Sequence, residues 1–338
     1  MTTNMRREAK ESPDCVAKFL ESETTGIEKL AQVMRSSPGG ACLTVARGSS
    51  DCAAAYFSTA MALLTGRLVT SLPPSLVSVY HAPLNFSDGW LVAFSQSGQS
   101  PDLLAVADAF GAHNLRTAAF VNDIASPLAH AVKWPIALHA WPEKAVAATK
   151  SVIAQFVGGA RLAAALGGAI DISLNFGSLP EKLRLSSQVD SLPTAFKLAK
   201  SRNLFVIGRG PGFPVAQEIA LKFKETCGIH AEAISSAELR HGPMEMMDSQ
   251  TDALVLALEG PGEAQLLECA AFLKGEGIPV QIVGSHASAD VHLVPASHFI
   301  LHPVCALATL YMLVDDVARL RHCNPDAPKR IQKVTHTL

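Results

Sequence analysis

The feature that most restricts the fold of this chain is an alternation of short apolar runs with longer helical patterns, which occurs in both halves of the sequence. Apolar runs bounded by polar or glycine-rich turns are typical of strands buried on both faces of a parallel sheet. The pattern therefore predicts an α/β fold with helices on both sides of each sheet. The predicted strands are residues 41–46, 90–94, 116–121, 204–207, 253–258 and 279–283.

Helix signals precede, separate and follow these apolar runs. Ser12, Pro13 and Asp14 form a typical helix start, with a capping hydroxyl, a proline in the first turn and an acid at the positive end of the dipole, and this helix is predicted to run to about Arg35. The other predicted helices are a segment ending at Leu64, one beginning at Pro101, and residues 125–131, 149–166, 179–199, 214–226, 262–274 and 305–319.

The repeated pattern predicts two domains related by a divergent duplication. Each is expected to be a small, doubly wound, parallel-sheet domain of flavodoxin-like α/β/α type. The predicted organisation is an N-terminal helical segment at 1–35, a first domain at 36–175, a second domain at 176–325 and a C-terminal tail at 326–338 that closes over the site.

Composition excludes several classes of protein. Hydrophobic residues make up 49% and charged residues 17% of the chain, which excludes a disordered protein and favours an oligomer with further buried surface. The net charge of −2 gives no basic field for nucleic acid or an anionic membrane. The longest uncharged stretch, 291–314, is broken by histidines and prolines, and the charged N-terminus lacks an apolar leader core, so we expect no membrane partner. Seven cysteines without a CxxC pair predict reduced thiols in the cytoplasm.

The strongest local motif is a polar loop between a predicted strand and a helix. It contains Ser95, Gln96, Ser97, Gly98 and Ser100. Hydroxyls, an amide and backbone N–H groups at a helix start form a neutral cradle that suits a phosphate. The alternative, a polar turn in which Ser100 only caps the helix, fits the spacing equally well.

A second hydroxyl-rich loop follows the first predicted strand, at Gly48, Ser49 and Ser50. Ser50 or Asp51 would cap the helix in a purely structural interpretation. Ligands of doubly wound folds bind at this edge of the sheet, so the two loops together favour a phosphorylated small molecule.

No cofactor or metal is predicted. The chain lacks the P-loop pattern, and Phe213 occupies the position of the third glycine in the only stretch that suggests a dinucleotide loop. No metal-binding spacing such as HExxH occurs.

Glu218, Lys222 and Glu225 fall on one face of a predicted helix. Spacing alone favours a solvated row of ion pairs. The functional alternative is a carboxylate base whose position is set by a neighbouring ammonium.

Polar residues also concentrate around His241, before a Gly-Pro pair, where an imidazole on a loop can reach a ligand. The alternative is that His230 and His241 are unrelated structural histidines. The basic tail containing Lys333 is expected to be mobile unless Lys333 folds over a site and offers its amine.

Taken together, these motifs resemble tandem sugar isomerase (SIS) domain proteins. The chain is similar to the isomerase half of glucosamine-6-phosphate synthase and still more to SIS-type glucosamine-6-phosphate deaminases. The resemblance covers nearly the whole chain, and the motifs that carry it are residues 46–51, 95–100, 143–150, 220–225, 230–233, 238–243 and 328–335.

The resemblance implies a role for each candidate residue. Glu225 would move a proton between carbons 1 and 2 of the sugar, with Lys222 beside it. His241 would assist ring opening from the partner subunit of a homodimer with a composite site, and Lys333 would meet the open-chain sugar. The phosphate would be held by Ser50, Ser95, Gln96, Ser97 and Ser100, and the sugar would be lined by Gly48, Ser49, Val146, Ala147 and Ala148.

Departures from the family pattern shape the expected reaction. Residue 2 is Thr rather than the nucleophilic Cys of a glutaminase, so we expect ammonia to be released from glucosamine 6-phosphate rather than transferred from glutamine. In the loop at 95–100, which we call the serine loop, Gln99 replaces an acidic residue that is common in the synthase. The second half of the chain has no such loop after its second predicted strand, which predicts one active site per chain. The alternatives are a ketose–aldose phosphosugar isomerase without deamination and a non-catalytic sugar-phosphate sensor.

Overall fold

A computed structural model describes residues 2–37, 40–86, 88–112 and 116–333 of the chain. Within these residues the chain divides into two compact units. The first unit contains Asp14–Glu143, Lys150–Gly177 and Lys333. The second contains residues 2–13, Lys144–Thr149 and Ser178–Gln332. The domain boundaries expected from the sequence stay a prediction.

Two helices begin the chain, α1 at Asn4–Lys10 and α2 at Ser12–Arg35. The hydroxyl of Thr3 accepts a hydrogen bond from the Arg6 backbone at 3.1 Å and caps α1, which the sequence patterns did not single out. Helix α2 has the predicted extent, from Ser12 to Arg35. Ser12 is its first residue, and the Ser12 hydroxyl donates to the Ala9 carbonyl at 2.7 Å instead of capping the helix.

The first unit is built around a parallel sheet of five strands. Its strands at 90–95 and 116–121 are mostly apolar and are buried along almost their whole length, which explains why uninterrupted apolar runs predicted them. The strands are β1 (Cys42–Val45), β2 (Val69–Ser71), β3 (Trp90–Ser95), β4 (Arg116–Val121) and β5 (Trp134–Ala137), in the spatial order β2-β1-β3-β4-β5. The helices that follow α2 are α3 (Ser49–Thr65), α4 (Ser75–Ser78), α5 (Pro101–Ala112), α6 (Pro127–Ala131), α7 (Lys150–Gly167) and α8 (Ile170–Asn175).

The second unit repeats this architecture with another parallel sheet of five strands. Its helices are α9 (Leu179–Ser186), α10 (Leu192–Leu198), α11 (Phe213–Lys222), α12 (Glu263–Gly275) and α13 (His302–Leu320). Its strands are β6 (Asn203–Gly208), β7 (His230–Ser235), β8 (Thr251–Ala257), β9 (Val280–Gly284) and β10 (Val291–His292), in the spatial order β10-β9-β8-β6-β7. Helix α1 packs on α13 in this unit.

Counted from the first strand of each unit, both sheets have the order 2-1-3-4-5 of flavodoxin-like folds. The predicted class, α/β with two doubly wound parallel-sheet domains, is therefore confirmed.

The single helix predicted at 179–199 is wrong. The structure forms α9 and α10 instead, separated by residues 187–191. Pro193 lies in the first turn of α10, and the Asp190 carboxylate accepts a hydrogen bond from the Leu192 backbone at 3.0 Å. A proline starts a helix more easily than it continues one, so the apolar spacing extends across a break in the backbone.

Candidate active site

The serine loop connects β3 to α5 at the carboxyl edge of the first sheet. Its turn is closed by the Gly98 backbone, which donates a hydrogen bond to the Ser95 hydroxyl at 3.0 Å. Gly98 has a φ of 63°, and a Cβ there would collide with the side chain of Ser126. The loop is therefore shaped before any ligand arrives, with Ser97 and Ser100 partly accessible to solvent.

The loop at Gly48, Ser49 and Ser50 joins β1 to α3 at the same edge. Gly48 has a φ of 55°, and nothing lies within 4 Å of the position its Cβ would take. Strands β1 and β3 are neighbours, with Val45 opposite Ala93, so the two hydroxyl-rich loops lie side by side. This is the topological switch point of the sheet, where doubly wound folds bind ligands.

An ion pair that the sequence patterns missed links the two loops. Arg47 Nε donates to Asp102 Oδ2 at 2.7 Å, from the turn after β1 to the first turn of α5. Asp102 is buried, whereas the Arg47 side chain is 47% exposed. Burial raises the pKa of nearby Asp51 and the charge of Arg47 opposes that rise. Because Arg47 is paired with Asp102, the two side chains together add no net charge to the cradle.

Glu143 and Lys333 meet in the first unit. Lys333 Nζ lies 2.9 Å from Glu143 Oε2, and the buried Glu143 carboxylate also accepts a hydrogen bond from the Ser151 hydroxyl at 2.8 Å. Lys150, which is buried too, donates to the Pro142 carbonyl at 2.9 Å. Both residues belong to the motif at 143–150, but the sequence patterns assigned neither of them a role. The rest of the tail motif, at Val334 and Thr335, lies outside the described residues.

The segment Lys144–Thr149, which contains the predicted sugar-lining residues, belongs to the second unit. Glu8 of α1 accepts hydrogen bonds from two backbone N–H groups of this segment, those of Lys144 at 2.6 Å and Ala145 at 3.1 Å. Ala147 is buried, and Val146 and Ala148 are partly accessible.

The candidate base lies at the end of α11, also in the second unit. Lys222 Nζ is 2.6 Å from Glu225 Oε2 and 3.5 Å from Glu218 Oε1. The Tyr311 hydroxyl donates to Glu218 Oε1 at 2.9 Å. Lys222 and Glu218 are almost completely buried, while the Glu225 side chain is 21% exposed. The solvated row of ion pairs favoured by spacing is therefore wrong, because α13 covers this face of the helix.

The backbone around Glu225 is a π-helical turn, at Phe223–Cys227. The predicted helix at 214–226 thus changes its geometry where its candidate base stands. The Thr226 hydroxyl donates to the Lys222 carbonyl at 2.7 Å, and Gly228, with a φ of 63°, ends the turn. Single π turns within helices occur frequently at functional sites.

His241 lies in a short 3-10 turn at Glu238–His241 in the second unit and is exposed. Within the described residues it makes no hydrogen bond to Lys222 or Glu225. The structure therefore brings Lys222 and Glu225 together and groups the two hydroxyl-rich loops in the first unit, but it does not add His241 to either group.

Among the described residues, no group of three or more His, Cys, Asp or Glu side chains is placed to bind a metal ion. None of the helices in the described ranges combines the length and apolar character needed to cross a membrane.

Comparisons with known proteins agree with this fold. The model of the SIS domain family matches residues 41–165 and 197–301, which make up more than half of the chain. The isomerizing glutamine–fructose-6-phosphate aminotransferase of Chlorobaculum tepidum is 33% identical over 271 residues, which cover 75% of this chain and 44% of that protein. The chain spans about half the length of the curated relatives it matches.

Two solved structures share the architecture. A Silicibacter pomeroyi DSS-3 protein, described as a candidate phosphosugar isomerase, has a TM-score of 0.89 at 36% identity, covering 96% of this chain and 100% of that one. The glucosamine-6-phosphate deaminase of Thermotoga maritima has a TM-score of 0.82 at 21% identity, covering 99% of this chain and 100% of that one. At 21% identity the second likeness shows the fold alone. The resemblance inferred from the sequence motifs is confirmed.

Proposed function

Because the chain belongs to the SIS domain family, we propose that it is an enzyme that moves a proton between carbons 1 and 2 of a sugar phosphate. The observation that carries the proposal is the cluster at the end of α11. There a buried ammonium holds a partly exposed carboxylate at 2.6 Å, which is an arrangement suited to a positioned general base.

The phosphate of the substrate binds to the two hydroxyl-rich loops in this proposal. The groups that hold it are Ser50, Ser95, Gln96, Ser97 and Ser100, together with backbone N–H groups at the starts of α3 and α5. The preformed turn at Gly98 supports this role, because it costs little further ordering when the anion binds. Gly48, Ser49, Val146, Ala147 and Ala148 line the sugar.

The reaction we propose is the deamination of glucosamine 6-phosphate. The open-chain sugar carries an aldehyde at carbon 1 and an amine at carbon 2. Glu225 removes the proton from carbon 2, and the resulting enolamine takes a proton at carbon 1. Water then hydrolyses the imine at carbon 2, which yields fructose 6-phosphate and ammonia. The name of the Chlorobaculum protein, an isomerizing glutamine–fructose-6-phosphate aminotransferase, joins an amino group with a hexose phosphate, which supports this substrate.

The remaining candidates act around this step. Lys222 keeps the carboxylate of Glu225 oriented for this step. Lys333 meets the open-chain sugar, and His241 assists ring opening from the partner subunit of a homodimer. These two roles come from the family resemblance.

The test is the substitution Glu225→Gln. The variant keeps the shape of the side chain and cannot accept the proton, so we expect turnover to fall by about 10²- to 10⁴-fold or more. Binding of glucosamine 6-phosphate should persist, and the fold should persist because Glu218 still pairs with Lys222. The measurement is release of ammonia and fructose 6-phosphate, with Glu268→Gln, an exposed carboxylate of α12, as the matched control. Near-full activity of Glu225→Gln would reject the assignment.

A ketose–aldose phosphosugar isomerase is the second candidate, and the Silicibacter pomeroyi neighbour at 36% identity favours it. Both reactions exchange the proton at carbon 1 with solvent, but only the deaminase releases ammonia. Ammonia and fructose 6-phosphate in equal amounts would support the deaminase. Deuterium incorporation from D₂O into a hexose phosphate without ammonia would support the isomerase. Binding without either reaction would support a sensor.

A further inference from the structure

Helix α1 is attached to the rest of the second unit by charged contacts in its first turn. Arg6 pairs with Asp315 at 3.1 Å and with Asp316 at 2.8 Å, both on α13. The carboxylate of Asp326 accepts hydrogen bonds from the backbone N–H groups of Asn4 at 2.7 Å and Met5 at 2.8 Å. These contacts, with the packing on α13, hold α1 in one position and orientation within the unit.

Glu8 is the residue that α1 directs at the segment Lys144–Thr149. Its side chain is only 2% exposed, and each carboxylate oxygen accepts one backbone N–H of the segment. A buried carboxylate is tolerated only when hydrogen bonds replace its lost hydration, and such charge-assisted bonds are stronger than neutral ones. Glu8 therefore binds two consecutive peptide groups and sets their orientation.

The segment needs an external support of this kind. Residues 144–149 form neither helix nor strand, so no regular hydrogen-bond ladder defines their backbone. Ala145, Ala147 and Ala148 have no polar side chain with which to anchor themselves. In the proposed function the backbone of Val146–Ala148 lines the sugar, and an error of about 1 Å in such a group can cost a hundredfold in rate.

We infer that Glu8 is a positioning residue that holds the sugar-lining backbone of 146–148 in place through the N–H groups of Lys144 and Ala145. This inference rests on the proposed function for the role of the segment. It gives the N-terminal helix a part in substrate binding, although Glu8 itself touches no substrate.

The substitution Glu8→Gln tests the contact with little change of volume. An amide has one acceptor oxygen, and its NH₂ group would face a backbone N–H, so one hydrogen bond is lost and two donors oppose each other. Glu11→Gln is the matched control. It lies at the end of the same helix, and its contact with Arg7 at 3.9 Å is a surface ion pair.

Two measurements are made on the full-length wild type and both variants. Hydrogen–deuterium exchange should be faster across residues 144–149 in Glu8→Gln than in the wild type and Glu11→Gln. The KM for glucosamine 6-phosphate should rise by about 10- to 100-fold in Glu8→Gln, with a smaller change in kcat. Melting temperatures identify a variant that is merely less stable, because a purely structural residue would lower the Tm without changing KM well below that temperature.

The outcomes separate the two proposals. Unchanged exchange in 144–149 would overturn the inference, and so would faster exchange with unchanged KM in an active enzyme. A wild type that binds glucosamine 6-phosphate without converting it would overturn the proposed function. The positioning role would still be supported in that case if Glu8→Gln weakened binding and speeded exchange while Glu11→Gln did neither.

Discussion

Lys222 carries a positive charge into a part of the second unit from which solvent is almost excluded. The charge is tolerated because Glu225 and Glu218 lie within 2.6 and 3.5 Å of its ammonium, and Tyr311 in turn donates to Glu218. Removing any one of these groups leaves another with an incomplete set of partners. The cluster should therefore be sensitive even to changes that keep every charge.

Tyr311→Phe is the mildest such change, because it deletes one hydroxyl from a fully buried side chain. We expect it to lower the free energy of unfolding by about 1–3 kcal/mol, since the buried Glu218 carboxylate loses a hydrogen bond. Tyr80→Phe, at a tyrosine that is 72% exposed, should change stability by less than about 0.5 kcal/mol. Urea unfolding of both variants measures the difference, and equal stability would contradict the buried network.

The residue types of this cluster could be predicted from the sequence, but their environment could not. A spacing of three and four residues places Glu218, Lys222 and Glu225 on one helix face whether that face is wet or dry. What buries it is α13, which lies about 80 residues further along the chain. The same holds for Glu8, whose partners at Lys144 and Ala145 lie far away in sequence, so no local pattern indicated its role.

At the scale of elements, the loop between β3 and α5 shows how a turn can be shaped in advance for an anion. Its φ of 63° at Gly98 is accessible to glycine at little cost, and the neighbouring Ser126 side chain leaves no space for a Cβ. The loop is also braced from its far side, because Arg47 holds Asp102 in the first turn of α5.

Gly98→Ala should disturb this element strongly. The left-handed conformation costs an alanine about 1–2 kcal/mol, and the displaced Ser126 adds to that cost. We expect binding of glucosamine 6-phosphate to weaken by about tenfold or more, because the hydroxyls and N–H groups of the loop lose their alignment. Gly111→Ala in α5, where nothing lies within 4 Å of the new Cβ, should leave binding unchanged. Calorimetric titration of both variants provides the comparison, and normal binding by Gly98→Ala would contradict a phosphate-binding role for the loop.

The elements that the sequence predicted well are those with their own buried apolar runs or clear end signals. The strand at 116–121 has the predicted bounds, and the start of α2 follows from Ser12 and Pro13. Strand β2 escaped prediction because its three residues are mostly exposed at the edge of the sheet. Strand β7 escaped prediction because the exposed polar residues His230 and Glu232 interrupt its apolar residues, so it has no continuous apolar run.

At the scale of the whole molecule, each unit is assembled from separate parts of the chain. The segment Lys144–Thr149 belongs to the second unit although the residues on both sides of it belong to the first. Hydrophobic patterning predicts strands and helices one at a time, and it contains no signal for such an exchange of a short segment.

Activity should depend on association between chains if His241 acts from the partner subunit, as we propose. The exposure of His241 and its lack of a hydrogen bond to Lys222 or Glu225 within the described residues are consistent with that role. We expect specific activity to fall on dilution in parallel with the loss of dimer, followed by mass photometry at the same concentrations. Full activity in a demonstrated monomer would contradict the composite site.

The attachment of α1 has a consequence for the order in which the protein matures on the ribosome. Glu8 is synthesised about 300 residues before Asp315, Asp316 and Asp326, whose carboxylates hold its helix in place. The sheet of the first unit can form while translation continues, since β1 to β5 all precede residue 138. The second unit is complete only after α13 has been synthesised, and a ribosome that stops before α13 releases a chain in which α1 lacks the carboxylates that hold it and Glu8 is no longer fixed beside Lys144 and Ala145.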